Sequence, residues 1–309
     1  MNVLILGGSG YIGERLTKFL ISKKYNVSVA TRKSNKIFNP EINELYEIDW
    51  NNLSSLRDAC EGNEIIINAA GASSKESEEN YEEVINFSKK GTTNLIKAAT
   101  MQSVKRMIYL STAHVYSSLM TGKINENSKL KNNSPYALAH SIAETITLEA
   151  QSESKIETKV LRLANCFGAP VSINSNCWYI LINDICKQAI IDNKINIRSK
   201  INNVRNFVPL TTVINFIESI IKFDKFKLPQ LINVGERYSL SIEDVVSRVI
   251  TRLEEKLNII PEVEFHFEKQ DAQFLDYETQ ILKKMDFDKY FSFDKEIDNL
   301  IMYCSEHFK

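Results

Sequence analysis

No two of the five cysteines (Cys60, Cys166, Cys177, Cys186 and Cys304) form a Cys-x-x-Cys pair, and they do not combine with the histidines into a set of metal ligands. A zinc site and a disulfide framework are therefore disfavoured, no metal is expected, and the thiols are expected reduced in a cytosol. Charge of one sign is missing too, with 38 Lys and Arg against 39 Asp and Glu. That balance offers no field for nucleic acid and no polybasic face for a membrane, so small molecules and other subunits are the expected partners. No window reaches about 18 consecutive apolar residues, and MNVLILGGSG enters an apolar strand without a basic region or cleavage site. Neither membrane insertion nor secretion is indicated, and a cytoplasmic location is expected. Repeats, low-complexity tracts and Gly/Ser- or Pro-rich linkers are absent as well. What remains is 309 residues, 43% hydrophobic and 25% charged, enough for a full core in one large or two interleaved domains.

Short β-branched runs alternate with helical patterns: NVLIL, Gly13 to Lys23, NVSVAT, Leu53 to Cys60, EIIINAA, Tyr81 to Met101, RMIYLST, Tyr136 to Ala150 and KVLRLA. Such alternation predicts βαβ units and a parallel sheet. Strands such as EIIINAA are apolar on both faces, as required when helices cover both sides. The expected class is α/β, a doubly wound parallel (Rossmann) sheet with a smaller interleaved C-terminal α/β substrate domain. Residues 1–165 are expected to form the dinucleotide-binding domain, with 201–235 returning to it. Residues 166–200 and 236–309 are assigned to the substrate-binding region.

GGSGYIG, residues 7 to 13, follows a strand and opens a helix. In that context Gly7 permits a tight turn, Gly10 lets backbone approach a pyrophosphate and Gly13 allows helix to pack on strand. Tyr11 and Ile12 then belong to the first helical turn, whose amides and dipole suit an anion. An NAD site usually carries an acidic residue at the end of the second strand. Here Thr31 stands near that point, followed by Arg32 and Lys33. Two cations suit a 2′-phosphate, so NADP(H) is favoured over NAD(H), with Arg32 as its ligand. Asp49 is placed to accept from the adenine amino group, and Trp50 and Ala69 are grouped with it as cofactor-binding.

In SPYALAHSIAE, Ser134 is a natural N-cap and Pro135 a natural first helical residue, so a helix is predicted with Tyr136 in its first turn. Spacing of four stacks Tyr136, His140 and Glu144 on one face, where Glu144 would orient or partly charge His140. Upstream, IYLSTAHVY is read as a strand that carries Thr112 and His114 on one side.

These segments, with INAAG, GTTNLIKAA, LRLANCFGAP, VRNFVPL and INVGERYSLSIEDVV, resemble the extended short-chain dehydrogenase/reductase family, particularly its nucleotide-sugar epimerases, dehydratases and 4-ketoreductases. The resemblance covers nearly the whole chain. It implies that Thr112 and Tyr136 bind the reacting carbonyl oxygen and that Tyr136 exchanges the proton. It further implies that Asn165 touches a sugar nucleotide, Arg205 its diphosphate, and that helices around 81–101 and 136–150 form a homodimer interface. His114 is a candidate for seating the substrate. The family's Lys, four residues after the Tyr, is replaced by His140. Its dehydratases carry Asp-Glu after the Thr, but Ala113 and His114 stand here, which disfavours dehydration; Ser88 and Phe87 fill the neighbourhood of a family Asn. The expected activity is NADPH-dependent reduction of a nucleotide-linked 4-keto-6-deoxysugar in surface polysaccharide biosynthesis. The alternatives are a nucleotide-sugar 4-epimerase and a catalytically silent NADP(H)-binding regulator.

Overall fold

The run NVLIL becomes the strand β1 (Asn2–Leu6), buried from Val3 onward as a central strand covered on both faces must be. The computed structural model describes residues 1–32, 41–198, 203–222, 228–266, 273–285 and 292–308; Lys33 lies outside them. The chain continues through α1 (Tyr11–Ser22), β2 (Asn26–Thr31), β3 (Leu45–Glu47), α2 (Leu53–Cys60) and β4 (Ile65–Asn68). Next come α3 (Ser74–Glu79), α4 (Tyr81–Asn86), a π-helical turn (Phe87–Gly91), α5 (Thr92–Met101) and β5 (Arg106–Thr112). A 3-10 turn (Ala113–Val115) leads to β6 (Gly122–Ile124), α6 (Pro135–Glu153) and β7 (Glu157–Leu163). Beyond lie β8 (Asn165–Phe167), α7 (Leu181–Asp192), β9 (Lys194–Ile197), β10 (Val204–Pro209), α8 (Leu210–Lys222) and β11 (Leu231–Val234). The last elements are β12 (Ser239–Ser241), α9 (Ile242–Leu257), β13 (Glu262–Phe265), β14 (Leu275–Tyr277), α10 (Gln280–Lys284) and α11 (Phe293–His307).

Seven strands form one sheet in the order β11-β7-β5-β4-β1-β2-β3. β1 runs parallel to both β2 and β4, so the strand order reverses between β1 and β4. This is the doubly wound parallel sheet expected from the alternation, and the crevice at its reversal point is where such sheets take ligands. Over one face Leu4, Leu6 and Ile66 pack against Leu56, Leu95 and Ala98 of α2 and α5. The helical pattern from Tyr81 to Met101 is not one helix: the π-helical turn divides it where Trp50 packs edge-on against Phe87. A Cβ at Gly91 would come within 3.2 Å of the Trp50 ring, so glycine is what lets the indole sit there.

Contacts divide the chain into one unit of Met1–Ser118, Lys129–Arg162 and Glu218–Ile232, and a second of Leu119–Ser128, Leu163–Ile217 and Asn233–Lys309. The sequence grouped 201–235 with the dinucleotide-binding domain; Glu218–Ile232 does return to the first unit, but β10 pairs with β8 and β12, which carries it into the second. That unit has its own core, built from Phe167, Ile182, Ile185, Val245, Val249 and Leu300 among others.

Candidate active site

At the reversal point the chain leaves β1 in a left-handed turn, with Gly7 at φ +76°. A Cβ at Gly7 would lie 2.8 Å from the Ala70 amide nitrogen and 2.9 Å from the Ala69 carbonyl, so the glycine turn is pressed against the end of β4. A Cβ at Gly13 would overlap the Gly7 carbonyl oxygen, which only a glycine in the first turn of α1 avoids. Gly8, which the sequence reading passed over, is required too, because its Cβ would come within 2.5 Å of Val29. The N-cap Gly10 gives no side-chain bond to the first turn of α1. Backbone amides without a side-chain cap, at the end of a twelve-residue helix, suit a diphosphate, and the residues present fit a dinucleotide there.

Around this turn, Ser9 and Thr31 share a hydroxyl hydrogen bond of 3.2 Å. Arg32 follows on the surface, close enough to Glu76 that its charge helps hold that carboxyl below the usual range, after the larger effect of the Ser73 amide. Asp49 is exposed and accepts from the Asn51 amide at 2.9 Å. Trp50 is a core residue whose ring is spent on Phe87 and Gly91. Ala69 continues the β4 ladder, its amide donating to Leu6.

The second cluster grows from β5 and α6. Ser134 caps α6 as predicted, accepting from the Ala137 amide at 3.4 Å, and Pro135 stands in the first turn. Asn132 ties this helix start to the 3-10 turn: its Oδ1 accepts from the Ser134 amide at 3.0 Å and its Nδ2 donates to the His114 carbonyl at 2.7 Å. That clamp sets the His114 ring 6.4 Å from the Tyr136 ring, centroid to centroid, and the His140 ring lies 4.7 Å from that of Tyr136. The strand does not run through His114, however. β5 ends at Thr112, whose hydroxyl accepts from the His114 amide at 3.2 Å and so opens the 3-10 turn. Thr112, His114, Tyr136 and His140 are thus gathered in the first unit, though by a turn rather than by strand alternation.

His140 is 9% exposed, and burial, with His114 nearby, pulls its pKa down to about 4. Glu144 does not orient or charge it. Its carboxylate receives Arg162 through Nε at 3.0 Å and Nη2 at 2.6 Å, and accepts the Ser111 hydroxyl as well. Arg162 also lies over the Tyr116 ring at 4.7 Å. Removed from water, the guanidinium would lose its charge more easily, but the Glu144 carboxylate outweighs this and raises its pKa. The group that does meet His140 is Tyr109, whose hydroxyl lies 2.7 Å from Nδ1. Nothing in the sequence assigns that partner, although a tyrosine inside the buried run RMIYLST signals a hydroxyl in need of one. Gly71, Ser88, Thr92, Tyr109, Tyr136 and His140 line a pocket beside this pair, and the π-helical turn is what brings Ser88 to it.

Asn165 and Arg205 belong to the second unit. The Asn165 amide donates to the Asn206 carbonyl at 2.8 Å, bracing β8 on β10. Arg205 donates through Nε to Asn203 at 3.2 Å, and burial lowers its pKa with no carboxylate among the described residues to offset it. A half-buried guanidinium so placed is suited to an anionic ligand.

The sheet order and the glycine turn together define a dinucleotide-binding α/β protein. A family model described as the NAD dependent epimerase/dehydratase family matches residues 3–235, and the chain belongs to that family. Over 100% of both chains it superposes on a UDP-glucose 4-epimerase from Thermotoga maritima bound to UDP-glucose, at 19% identity and a TM-score of 0.81. The same coverage and a TM-score of 0.81 are found with MoeE5 in complex with UDP-glucose and NAD, at 17% identity. At these identities the likeness is one of fold. The low-salt glycan biosynthesis protein Agl12 of Haloferax volcanii is 25% identical over 179 residues, 54% of this chain and 57% of the relative. A dTDP-D-glucose 4,6-dehydratase of Dictyostelium discoideum is 24% identical over 276 residues, 80% of this chain and 61% of the relative. The chain therefore matches less than two thirds of the length of these two relatives. No helix among the described residues is long and apolar enough to cross a membrane.

Proposed function

We propose that this protein reduces the 4-keto group of a nucleotide-linked 4-keto-6-deoxysugar with NADPH, in the supply of a surface polysaccharide. The observation that carries this reading is the buried imidazole 4.7 Å from the Tyr136 ring, whose burial pulls its pKa down to about 4 and so favours the neutral form. Oxidation of an alcohol needs a phenolate as base, and a phenol ionises near neutral pH only with a cation close by, since its unperturbed pKa is about 10. At an effective dielectric of about 20 an ammonium ~4.5 Å away is worth close to 4 kcal/mol, or between two and three pKa units. His140 brings no such charge. Reduction instead needs the protonated phenol as acid, the form a neutral neighbour leaves in place.

Gly7, Gly10, Tyr11, Ile12 and Gly13 would hold the cofactor's diphosphate, Ala69 and Asp49 its adenosine end, and Arg32 a 2′-phosphate; Trp50, packed in the core against Phe87, would only back Asp49. When bound, the reduced nicotinamide supplies hydride. Thr112 donates its hydroxyl hydrogen to the substrate carbonyl, which polarises it, and Tyr136 delivers a proton to the same oxygen as negative charge develops there. His140 would hold the nicotinamide ribose through one hydrogen bond. His114 contacts the sugar of the substrate. Ala113 and His114 follow Thr112 where a dehydratase of the resembling family has two carboxylates, so elimination lacks its proton carriers.

The test is NADPH oxidation with freshly generated dTDP-, GDP-, CDP- and UDP-linked 4-keto-6-deoxysugars. Stoichiometric oxidation with one of them is expected. Arg32→Ala should weaken NADPH about tenfold and leave NADH nearly unchanged, as loss of a charge-assisted contact requires. Interconversion of two epimers without cofactor consumption would overturn the reading in favour of an epimerase. Tight NADPH binding with no turnover on any keto sugar would do so in favour of a silent binder.

A further inference from the structure

We propose that Tyr109 is a positioning residue for His140: its phenol donates to Nδ1, which leaves the ring's single hydrogen on Nε2 and aims it into the pocket. Tyr109 is buried on β5, its ring held against Ala143 and Val160, and its hydroxyl meets His140 Nδ1 at 2.7 Å. His140 is the hydrogen-bond partner the structure gives that hydroxyl. If the phenol accepted from an Nδ1 hydrogen instead, its own buried O–H would have no acceptor among the described residues, an arrangement that is disfavoured. The donor is therefore the phenol, and burial, which raises its pKa well above the usual value, keeps the hydrogen on it.

The groups that face His140 agree on a neutral ring. Tyr109 comes from β5, Tyr136 from the helix itself and His114 from the 3-10 turn; the nearest carboxylate along α6, Glu144, is engaged by Arg162 and Ser111. On the opposite edge of the imidazole, Nε2 lies 3.6 Å from the point a Cβ on Gly71 would occupy. That edge opens on the pocket lined by Gly71, Ser88 and Tyr136. The ligand atom it recognises is consequently an acceptor, a hydroxyl or carbonyl oxygen, and one hydrogen bond of fixed direction replaces the three rotatable donors a lysine would bring. This deepens the reductase reading without resting on turnover for its proof.

The protein has four histidines, so ¹⁵N-histidine labelling of the whole chain gives a spectrum simple enough to assign, with His140 identified by its loss in His140→Gln. Expected is a single Nε2–H tautomer for His140, unchanged from about pH 8 down to about pH 5. In Tyr109→Phe the ring should sample both tautomers, and its nitrogen shifts should move toward one another. An Nδ1–H tautomer or a mixture in the wild type would overturn the proposal, as would an unchanged spectrum in Tyr109→Phe. Should that variant not fold, the wild-type tautomer alone decides. A fixed Nε2–H ring in a protein that reduces no keto sugar would leave Tyr109 its role and sink only the reductase reading.

Discussion

His140 is held among Tyr109, Tyr136 and His114, where an imidazolium would lose its hydration and gain no anion in return. The consequence reaches stability. An unfolded imidazole titrates near 6.5, whereas the folded one does so at about 4. Between those values the unfolded chain binds the extra proton, so stability is full above about 6.5 and falls as pH drops toward about 4. The loss from this one residue is about 3 kcal/mol. His140→Gln should therefore lose less stability than wild type between about pH 7 and about pH 4.5. Urea unfolding at the two pH values measures this, and equal losses in both proteins would contradict it.

Among the elements, the turn between β1 and α1 carries the tightest steric demands. Gly7 is left-handed and touches the end of β4, and Gly13 leaves no room between α1 and the Gly7 carbonyl. Gly10 is less constrained, with a Cβ there 3.2 Å from the Gly7 oxygen. Gly13→Ala is expected to cost about 1–3 kcal/mol as the helix is pushed off the strand, and to weaken dinucleotide binding at least about tenfold. Gly10→Ala should be milder in stability. Thermal unfolding with and without NADPH checks both, and a Gly13→Ala protein that binds and melts like wild type would rule out this account. The glycine pattern, the Ser134 cap and Pro135 were legible in the sequence because each acts over a few residues. The π-helical turn and the placing of His114 beside Tyr136 were not. They depend on Trp50 meeting Phe87 and on Asn132 reaching the His114 carbonyl, contacts between segments far apart in the chain.

At the scale of the molecule, the helices from Tyr81 to Met101 and from Pro135 to Glu153 lie against one another in the first unit. We propose that they pair with their counterparts in a second copy, as the family resemblance implies. Sizing of the purified protein should then give about twice the 35.4 kDa of one chain, and a monomer alone would contradict it.

The sequence by itself determined the alternation of strand and helix, hence the doubly wound parallel sheet, and it set the glycine turn, the Ser134 cap and the stacking of Tyr136 and His140 on one helix face. Those follow from periodicity, caps and glycine sterics, which a linear chain carries. It assigned Glu144 to His140 because the two share a helix face, and there it erred. Tertiary structure decided that pairing: Arg162 of β7 and Ser111 of β5 reach Glu144, and Tyr109 of β5 reaches His140. A buried carboxylate goes to the cation that can satisfy both its oxygens, and a buried phenol to an acceptor within reach. Which groups those are depends on how β5 and β7 lie under α6, and no spacing along the chain records it.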